Sequence, residues 1–492
     1  MCLTIMKKMI KLIRPFLTRR ENPEQALITF VSLQGFTATH KTPYNLKESE
    51  KTVVARRARL SGWANYPSVE ADVYLPESTG QLRELVLNSD CLIARGNGKS
   101  YGDAALSGRV ACMLSMNRIT SFDPGTGVIT CEAGVLLSDI LPVIIPAGWF
   151  FHVTPGIKSV TVGGAVASDV HGKNHPDKGC FSSWLISFLL MDAQGEIHHC
   201  SRDENPALFW QTCGGMGWTG IILSATFQLM RVTSVYMRQL TSRARNLEEM
   251  FRHFEANKSL PYAAAWIDTT ASGPATGQGT GLFAGHLQGD TSMEWQTPKP
   301  VDVPFFAPPW LLNPVSIRLH NEIYYRRNKP GERTIHLDKY FYPLDSITNW
   351  NRLYGRRGFI QYQFCLPETE AFEGIFGVLQ AVTASREVPF LSVLKRHGER
   401  PAEAVNSFPV KGYSLALDFP RTRGLISLLN RLDELVWSRG GKIYLAKDAV
   451  SRPGLGRVDL SQFSGQKFTS AMRERLKQQE LAQDSLPLAK TG

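Results

Sequence analysis

The sequence lacks the signatures that would assign its chemistry at a glance. Its eight cysteines (2, 91, 112, 131, 180, 200, 213 and 365) form no CxxC and no paired spacing, and most lie among apolar neighbours. That pattern argues against a disulfide framework and fits buried, reduced thiols in a reducing, cytoplasmic compartment. HExxH is absent, the pair His171 and His175 does not supply it, and no metal is expected. Two long uncharged stretches exist, but neither reads as a membrane span. Pro142, Pro146 and Pro155 break Ile140–Ile157, and Pro206 with the glycines from Gly214 to Gly220 breaks Asn205–Met230. The apolar segment Ala26–Phe36 is interrupted by Ser32, Gln34 and Gly35, so no signal peptide is expected. A Rossmann site is disfavoured, because no GxGxxG stands between a strand and a helix with an acid beyond it. The usual nucleic-acid-binding signatures are missing as well, and no nucleic-acid partner is expected.

What is present points elsewhere. A chain of 492 residues is too long for one ordinary core, so two or three domains are expected. The net charge of +11 suits an anionic partner such as a phosphate-bearing substrate or an acidic membrane surface. Near the start, MKKMIKLIRPFLTRR sets Lys7, Lys11 and Arg14 on one face of a conceivable helix. Two readings stay open there, an extension without fixed structure and a helix lying on a membrane surface. From Ser68, short apolar runs alternate with glycine turns: Cys91–Ala94, Val110–Leu114, Val128–Cys131, Phe151–Val153, Leu185–Asp192 and Ile221–Met230 read as strands. Gln81–Asn88, Leu136–Ala147 and Ala207–Thr212 read as short helices. Beyond Val232 aromatic and basic residues rise. Strands Gly358–Leu366, Tyr413–Phe419 and Lys442–Ala446 alternate there with helices Ala371–Ser385 and Leu425–Ser438. The fold class is α+β.

Three glycine clusters carry the chemistry. The first, ARGNGKSYGD at Ala94–Asp103, contains the GKS tail of a phosphate-binding P-loop, but Ile93 stands where that motif needs its first glycine. The others are Thr161-Val162-Gly163-Gly164-Ala165 and Gly214-Gly215-Met216-Gly217, the latter followed by Thr219-Gly220-Ile221-Ile222. Glycine lets backbone N–H groups approach a pyrophosphate, and successive turns form anion-binding nests. One cluster would be only a turn. Three, each with a hydroxyl nearby, point to a dinucleotide cradle.

These residues carry a resemblance. RGNGKSYGD, TPGIKSVTVGGAVASDVHGKNHPDKG and FWQTCGGMGWTGIILSATFQL look like the FAD-binding (PCMH-type) domain of the vanillyl-alcohol-oxidase-like flavoproteins. Within these the chain resembles the decaprenylphosphoryl-β-D-ribose 2′-oxidase family, through WNRLYGRRGFIQYQF, FLSVLKRHG, GYSLALDFP and GGKIYLAKDA. The resemblance runs from about residue 50 onward and implies four parts. They are an extension at 1–50, an FAD-binding domain at 51–235, a substrate domain built on an antiparallel sheet with helices at 236–441, and a segment at 442–492 that returns to the FAD domain. It implies that Arg95, Gly96, Asn97, Gly98, Lys99, Ser100, Tyr101, Thr161, Gly163, Gly164, Ser168, His171, Gly172, Gly217, Gly220, Ile222 and Tyr444 hold FAD. Related oxidases often have His where this chain has Lys99 and tether the flavin through it, so FAD held without a covalent bond is expected here.

The same resemblance implies that Lys173, Gln361, Gln363, Lys395 and Trp266 line the substrate pocket and that Lys447 and His171 are catalytic. Period two places Gln361 and Gln363 on one strand face; without the resemblance that face could simply be a solvated one. His175 reads as structural. Ala416 replaces a cysteine found in some members. Lys447 alone would read as a solvated lysine at a strand end. The resemblance instead sets it beside flavin and substrate, where a desolvated amine can take an alcohol proton. The implied reaction is oxidation of a sugar secondary alcohol to a ketone, on a polyprenyl-phosphate-linked ribose. The implied partners are a short-chain-dehydrogenase-type reductase, which completes epimerisation to arabinose for the cell wall, and a quinone-like electron acceptor, with peripheral contact at the inner membrane. Two alternatives remain at this point, an oxidase of a soluble sugar or aldonolactone and a non-catalytic FAD- or lipid-binding protein.

Overall fold

The computed structural model describes residues 53–289, 293–295, 299–308, 310–451, 460–463, 465 and 467–484. The N-terminal stretch at 1–50, with its two readings, lies outside the described residues. Three sheets carry the architecture. The first joins β1 (Arg56–Ser61), β2 (Ser68–Tyr74), β3 (Ile93–Arg95) and β4 (Arg109–Cys112) in the order β1-β2-β4-β3. The second comprises β5 (Ile119–Phe122), β6 (Val128–Glu132), β7 (Trp149–Phe151), β8 (Leu185–Met191), β9 (Ile197–Ser201) and β10 (Ile221–Arg231). Its order is β5-β6-β10-β8-β9, with β7 also paired to β10. A core of Ile129, Phe151, Phe188, Phe209 and Phe227 fills one side of it.

The third sheet has eight strands: β11 (Tyr236–Ala244), β12 (Tyr262–Ile267), β13 (Gly279–His286), β15 (Gly331–His336), β17 (Phe359–Pro367), β18 (Leu391–His397), β19 (Gly412–Pro420) and β20 (Lys442–Ile443). A separate short pair, β14 (Val301–Asp302) with β16 (Ile347–Thr348), lies outside it. Its order is β15-β11-β13-β12-β18-β19-β17-β20. Strand alternation decides its two faces. Ile360, Tyr362 and Phe364 on β17, Leu394 on β18, and Leu415, Leu417 and Phe419 on β19 pack against apolar residues of the helices Leu247–Ala256, Glu368–Ala384 and Leu425–Trp437. The intervening residues therefore point the other way, among them Gln361, Gln363, Lys395, Ala416 and Asp418.

The strand expected over Lys442–Ala446 stops at Ile443. A short 3-10 turn, Leu445–Lys447, follows it. The reason is a second attachment. Tyr101 N–H donates to the Ala446 carbonyl at 2.9 Å, which bends this segment onto the loop after β3. The two backbones touch so closely that a Cβ on Gly102 would collide with the Asp448 carbonyl. Arg475, on the helix Ala471–Asp484, closes the seam. Its guanidinium reaches Asp103 at 3.0 and 3.1 Å, Asp448 at 2.9 Å and the Ser451 carbonyl at 2.7 Å.

Asp103 and Asp448 are both buried. Removing Arg475 would leave two buried carboxylates without their cation, a loss of about 3–5 kcal/mol for a broken buried pair. Arg475→Ala should therefore lower the thermal midpoint clearly. Adding Asp103→Asn should recover part of the loss, because a neutral amide is cheaper to bury than an unpaired charge. An unchanged midpoint in Arg475→Ala would remove the clamp from this account.

Candidate active site

Two glycine clusters meet at the loop after β3. Gly98 has φ +60°, a conformation that L side chains rarely adopt, and the Arg95 guanidinium occupies the space a Cβ would need. Arg95 itself donates to the carbonyls of Ser61 at 2.8 Å and Ala105 at 3.3 Å, so it braces the loop from behind. Asn97 Nδ2 donates to the Ser159 carbonyl at 2.8 Å. Gly96 lies against Thr161, whose Oγ1 a Cβ there would strike. That same oxygen caps the helix Val162–Ala167 by accepting from Gly164 N–H at 3.2 Å. Among the described residues no acceptor meets the amide N–H groups of Asn97, Gly98, Lys99 or Ser100. Four successive unspent amides on a half-buried turn are a nest built for an anion. The residues present thus fit an FAD pyrophosphate.

The other predicted cofactor residues divide into scaffold and lining. Ser168 ends the Val162–Ala167 helix, and its carbonyl accepts from the Tyr444 hydroxyl at 3.0 Å. Tyr444 stacks on Phe408 with centroids 4.7 Å apart and lies 5.1 Å from the His171 ring. Gly172 is pressed against Asn174 and the Thr154 carbonyl. Gly217 has φ +81°, while Gly220 lies against the Met191 carbonyl, where a side chain would not fit. Ile222 is buried in the core of the second sheet, and its side chain serves that core. Lys99 lies over the Trp63 ring at 3.6 Å, and burial lowers its pKa to about 8.

The polar face of the eight-stranded sheet closes over this loop. Gln363 Nε2 donates to His171 Nε2 at 3.2 Å, joining the two halves of the chain. Burial first, then the nearby lysines and histidines, hold the His171 pKa well below its ordinary value, so the ring is neutral. With Nε2 accepting, the proton sits on Nδ1. That nitrogen is buried and has no partner among the described residues. His171 is therefore set up as a hydrogen-bond donor, not as a base. His175 Nδ1 accepts from Gly398 N–H at 3.0 Å and ties the same segment to the sheet.

Lys447 leaves the backbone turn and lies over the Tyr101 ring, Nζ to centroid 3.4 Å. It is half-buried, not the solvated strand-end lysine that alternation suggests. Burial lowers its pKa, and Lys395 adds to that; Asp418 opposes it. Asp418 is buried, accepts from Gln361 Nε2, and is pushed upward by the same desolvation. Lys173, whose Nζ donates to the Tyr340 carbonyl, is brought down to about 7, and Lys395 to about 8, in both cases mainly by burial. Trp266 is buried against Tyr324 with centroids 4.5 Å apart, in register with Val393 on the face that carries Lys395. Ala416 stands opposite Gln363 and Val393 in the ladders. No predicted substrate residue is stranded on the far face.

Sequence reasoning missed Asp418 and His397. Both were within reach of strand alternation: Asp418 is two residues beyond Ala416, and His397 two beyond Lys395. His397 is buried, bonds Ser414 Oγ at 2.7 Å and lies 5.2 Å from the His171 ring. Among the described residues no cluster of His, Cys, Asp or Glu could hold a metal ion, and the seven described cysteines are free thiols.

A family model for the FAD binding domain matches residues 71–201. The decaprenylphosphoryl-β-D-ribose oxidase of Mycolicibacterium smegmatis is 35% identical over 373 residues, covering 73% of this chain and 80% of that protein. Mouse L-gulonolactone oxidase is 28% identical over 178 residues, 35% of this chain and 40% of its own. The D-arabinono-1,4-lactone oxidase of Yarrowia lipolytica is 26% identical over 191 residues, 37% of this chain and 36% of its own.

Two outcomes are expected. Gly98→Val should purify without FAD, because a β-branched residue neither adopts φ +60° nor leaves room beside Arg95; full retention of FAD would place the pyrophosphate elsewhere. Lys447→Ala should keep FAD yet slow flavin reduction by substrate roughly 10²–10⁴-fold, the range for losing a positioned proton acceptor. In the parent, a proton-accepting role for Lys447 predicts a rate that rises with pH through a midpoint well below the 10.5 of an ordinary lysine, since burial favours the neutral amine. Stopped-flow reduction across a pH series reads both, and a near-parent rate in Lys447→Ala would make the lysine a bystander.

Proposed function

The chain belongs to the decaprenylphosphoryl-β-D-ribose oxidase family of FAD-dependent oxidoreductases, and from that premise we propose that it oxidises the 2′-hydroxyl of a polyprenyl-phosphate-linked ribose to a ketone. FAD, held without a covalent bond, supplies the hydride acceptor. The rest falls to this chain's residues. Lys447, which burial leaves neutral at a lower pH than an ordinary lysine, takes the hydroxyl proton. His171 offers its Nδ1–H from a ring fixed by Gln363. Gln361 holds Asp418, whose carboxylate opposes the fall of the Lys447 pKa and so keeps the amine in a titratable range. Lys173 and Lys395 give the pocket the positive lining that a phosphate-bearing substrate needs.

The observation that carries this reading is the convergence of Lys173, Lys395 and Lys447, from three separated segments, on the face that meets the FAD loop. The extent of the family match adds to it. An alignment over 373 residues must run beyond the FAD-binding half into the eight-stranded sheet. The lactone oxidases match only about a third of the chain, too short a stretch to cover both the FAD-binding half and the eight-stranded sheet. A short-chain-dehydrogenase-type reductase acting on the ketone and a quinone-like electron acceptor complete the proposal.

Anaerobic bleaching of the flavin separates the readings. A polyprenyl-phospho-ribose should bleach it within the mixing experiment, whereas free ribose and aldonolactones should do so at least 100-fold more slowly. Faster bleaching by an aldonolactone would overturn the substrate assignment while leaving the oxidoreductase class intact.

A further inference from the structure

Among the described residues most large apolar side chains are covered, but three highly exposed ones lie within ten residues of each other. Trp310 is 66% exposed, Val315 77% and Leu319 61%. Val315 and Leu319 are one turn apart on the helix Pro314–Arg327, and that helix is firmly held. Asn313 caps it, accepting from Val315 and Ser316 N–H groups at 2.9 and 3.0 Å, and its own Nδ2 donates to the Trp310 carbonyl at 2.7 Å. The inner side packs onto the substrate face of the large sheet. Tyr324 meets Trp266, Asn321 Nδ2 donates to Asp268 at 2.8 Å, and His320 lies 5.1 Å from Phe390. The outer side carries Val315, Arg318, Leu319, Glu322 and Arg326, with Glu322 paired to Arg326.

The nearby charges are mostly arginines, with Asp302 and Glu322 at the two ends of the stretch. No acidic residue occurs between Val303 and Asn321. The adjoining segment Trp350–Arg357 packs on the stretch before Trp310, through the Ala307 N–H to Arg352 carbonyl bond at 2.9 Å and Arg356 over the Phe306 ring at 5.1 Å. It brings Arg352, Arg356 and Arg357, with no acid among them. An exposed tryptophan and two exposed aliphatic side chains on a rigid helix, with Arg318 on the same outer face and Arg356 on the adjoining segment, have the chemistry of a surface that sits in the interfacial zone of an anionic bilayer. The basic N-terminal segment of the same chain is a poor rival occupant, because its charge has the same sign.

We propose that Trp310, Val315, Leu319 and the neighbouring arginines form the face by which this protein docks on an anionic membrane, presenting its substrate pocket to lipid-borne substrate. The proposal rests on the reading of the substrate as a polyprenyl phosphate, but its test is separate. The full-length holoprotein is sedimented with vesicles of phosphatidylglycerol and phosphatidylcholine, and with phosphatidylcholine alone. Binding should require the anionic lipid. The double variant Trp310→Ala, Leu319→Glu should lose at least about tenfold in partitioning, because it withdraws two apolar contacts and adds a like charge. Its FAD content, thermal midpoint and flavin reduction by a short-chain, water-soluble prenyl-phospho-ribose should match the parent. Variant binding equal to the parent's, no vesicle binding by the parent, or a change of oligomeric state with vesicle binding intact would each overturn the membrane face. Failure of the parent flavin to bleach with the soluble analogue would instead overturn the substrate reading, whatever the vesicles show.

Discussion

The structure depends on one seam, where the loop after β3 meets the turn after β20. The two are far apart in sequence and pressed together in space, with Tyr101 N–H on the Ala446 carbonyl and Gly102 against the Asp448 carbonyl. One side of the seam is the anion nest. The other carries Lys447. Neither position is set by its own segment alone, and the guanidinium of Arg475, between two buried carboxylates, holds both. Buried ion pairs of this kind add little net stability over apolar packing, yet separating the partners is costly, because it strands a buried charge. Here the geometry they specify is the distance between the unspent amides at 97–100 and the Lys447 amine.

A second constraint follows from that closure. Bringing Lys173, Lys395 and Lys447 near one face concentrates positive charge in a poorly solvated space. The cost appears as lowered lysine pKa values and neutral histidines at 171, 175 and 397. Asp418 is the local counterweight to Lys447, held by the Gln361 amide directly opposite it in the ladder. Desolvation and a single carboxylate pull Lys447 in opposite directions. Their balance sets how readily the amine gives up its proton. The chemistry of the site is thus tuned by which strand residues alternate inward.

Much of this was legible in the sequence where local rules operate. Alternation in β17 correctly paired Gln361 with Gln363, and glycine spacing marked the nest at 96–98, because both depend on backbone conformation alone. Applied one step further along β18 and β19, alternation would also have found His397 and Asp418. Lys447 was not legible by the same rule. Its strand, β20, ends at Ile443, four residues short of Lys447, since the chain bends to meet Tyr101, a contact with no local signature. Arg95 sits in the nest's own motif but braces the loop by reaching carbonyls of Ser61 and Ala105, and Arg475 lies in a polar helix with no motif at all. Long-range contacts of this kind are set by tertiary closure, which single-sequence patterns do not encode.

The most direct test of the seam is amide hydrogen exchange followed through residues 95–103 and 444–451, with and without FAD. If one closure holds both the nest and the Lys447 turn, loading FAD should protect the two segments together and to a similar degree, although only the first carries the unspent amides. Protection confined to 95–103, with 444–451 exchanging as before, would contradict a shared seam and detach Lys447 from the cofactor grip.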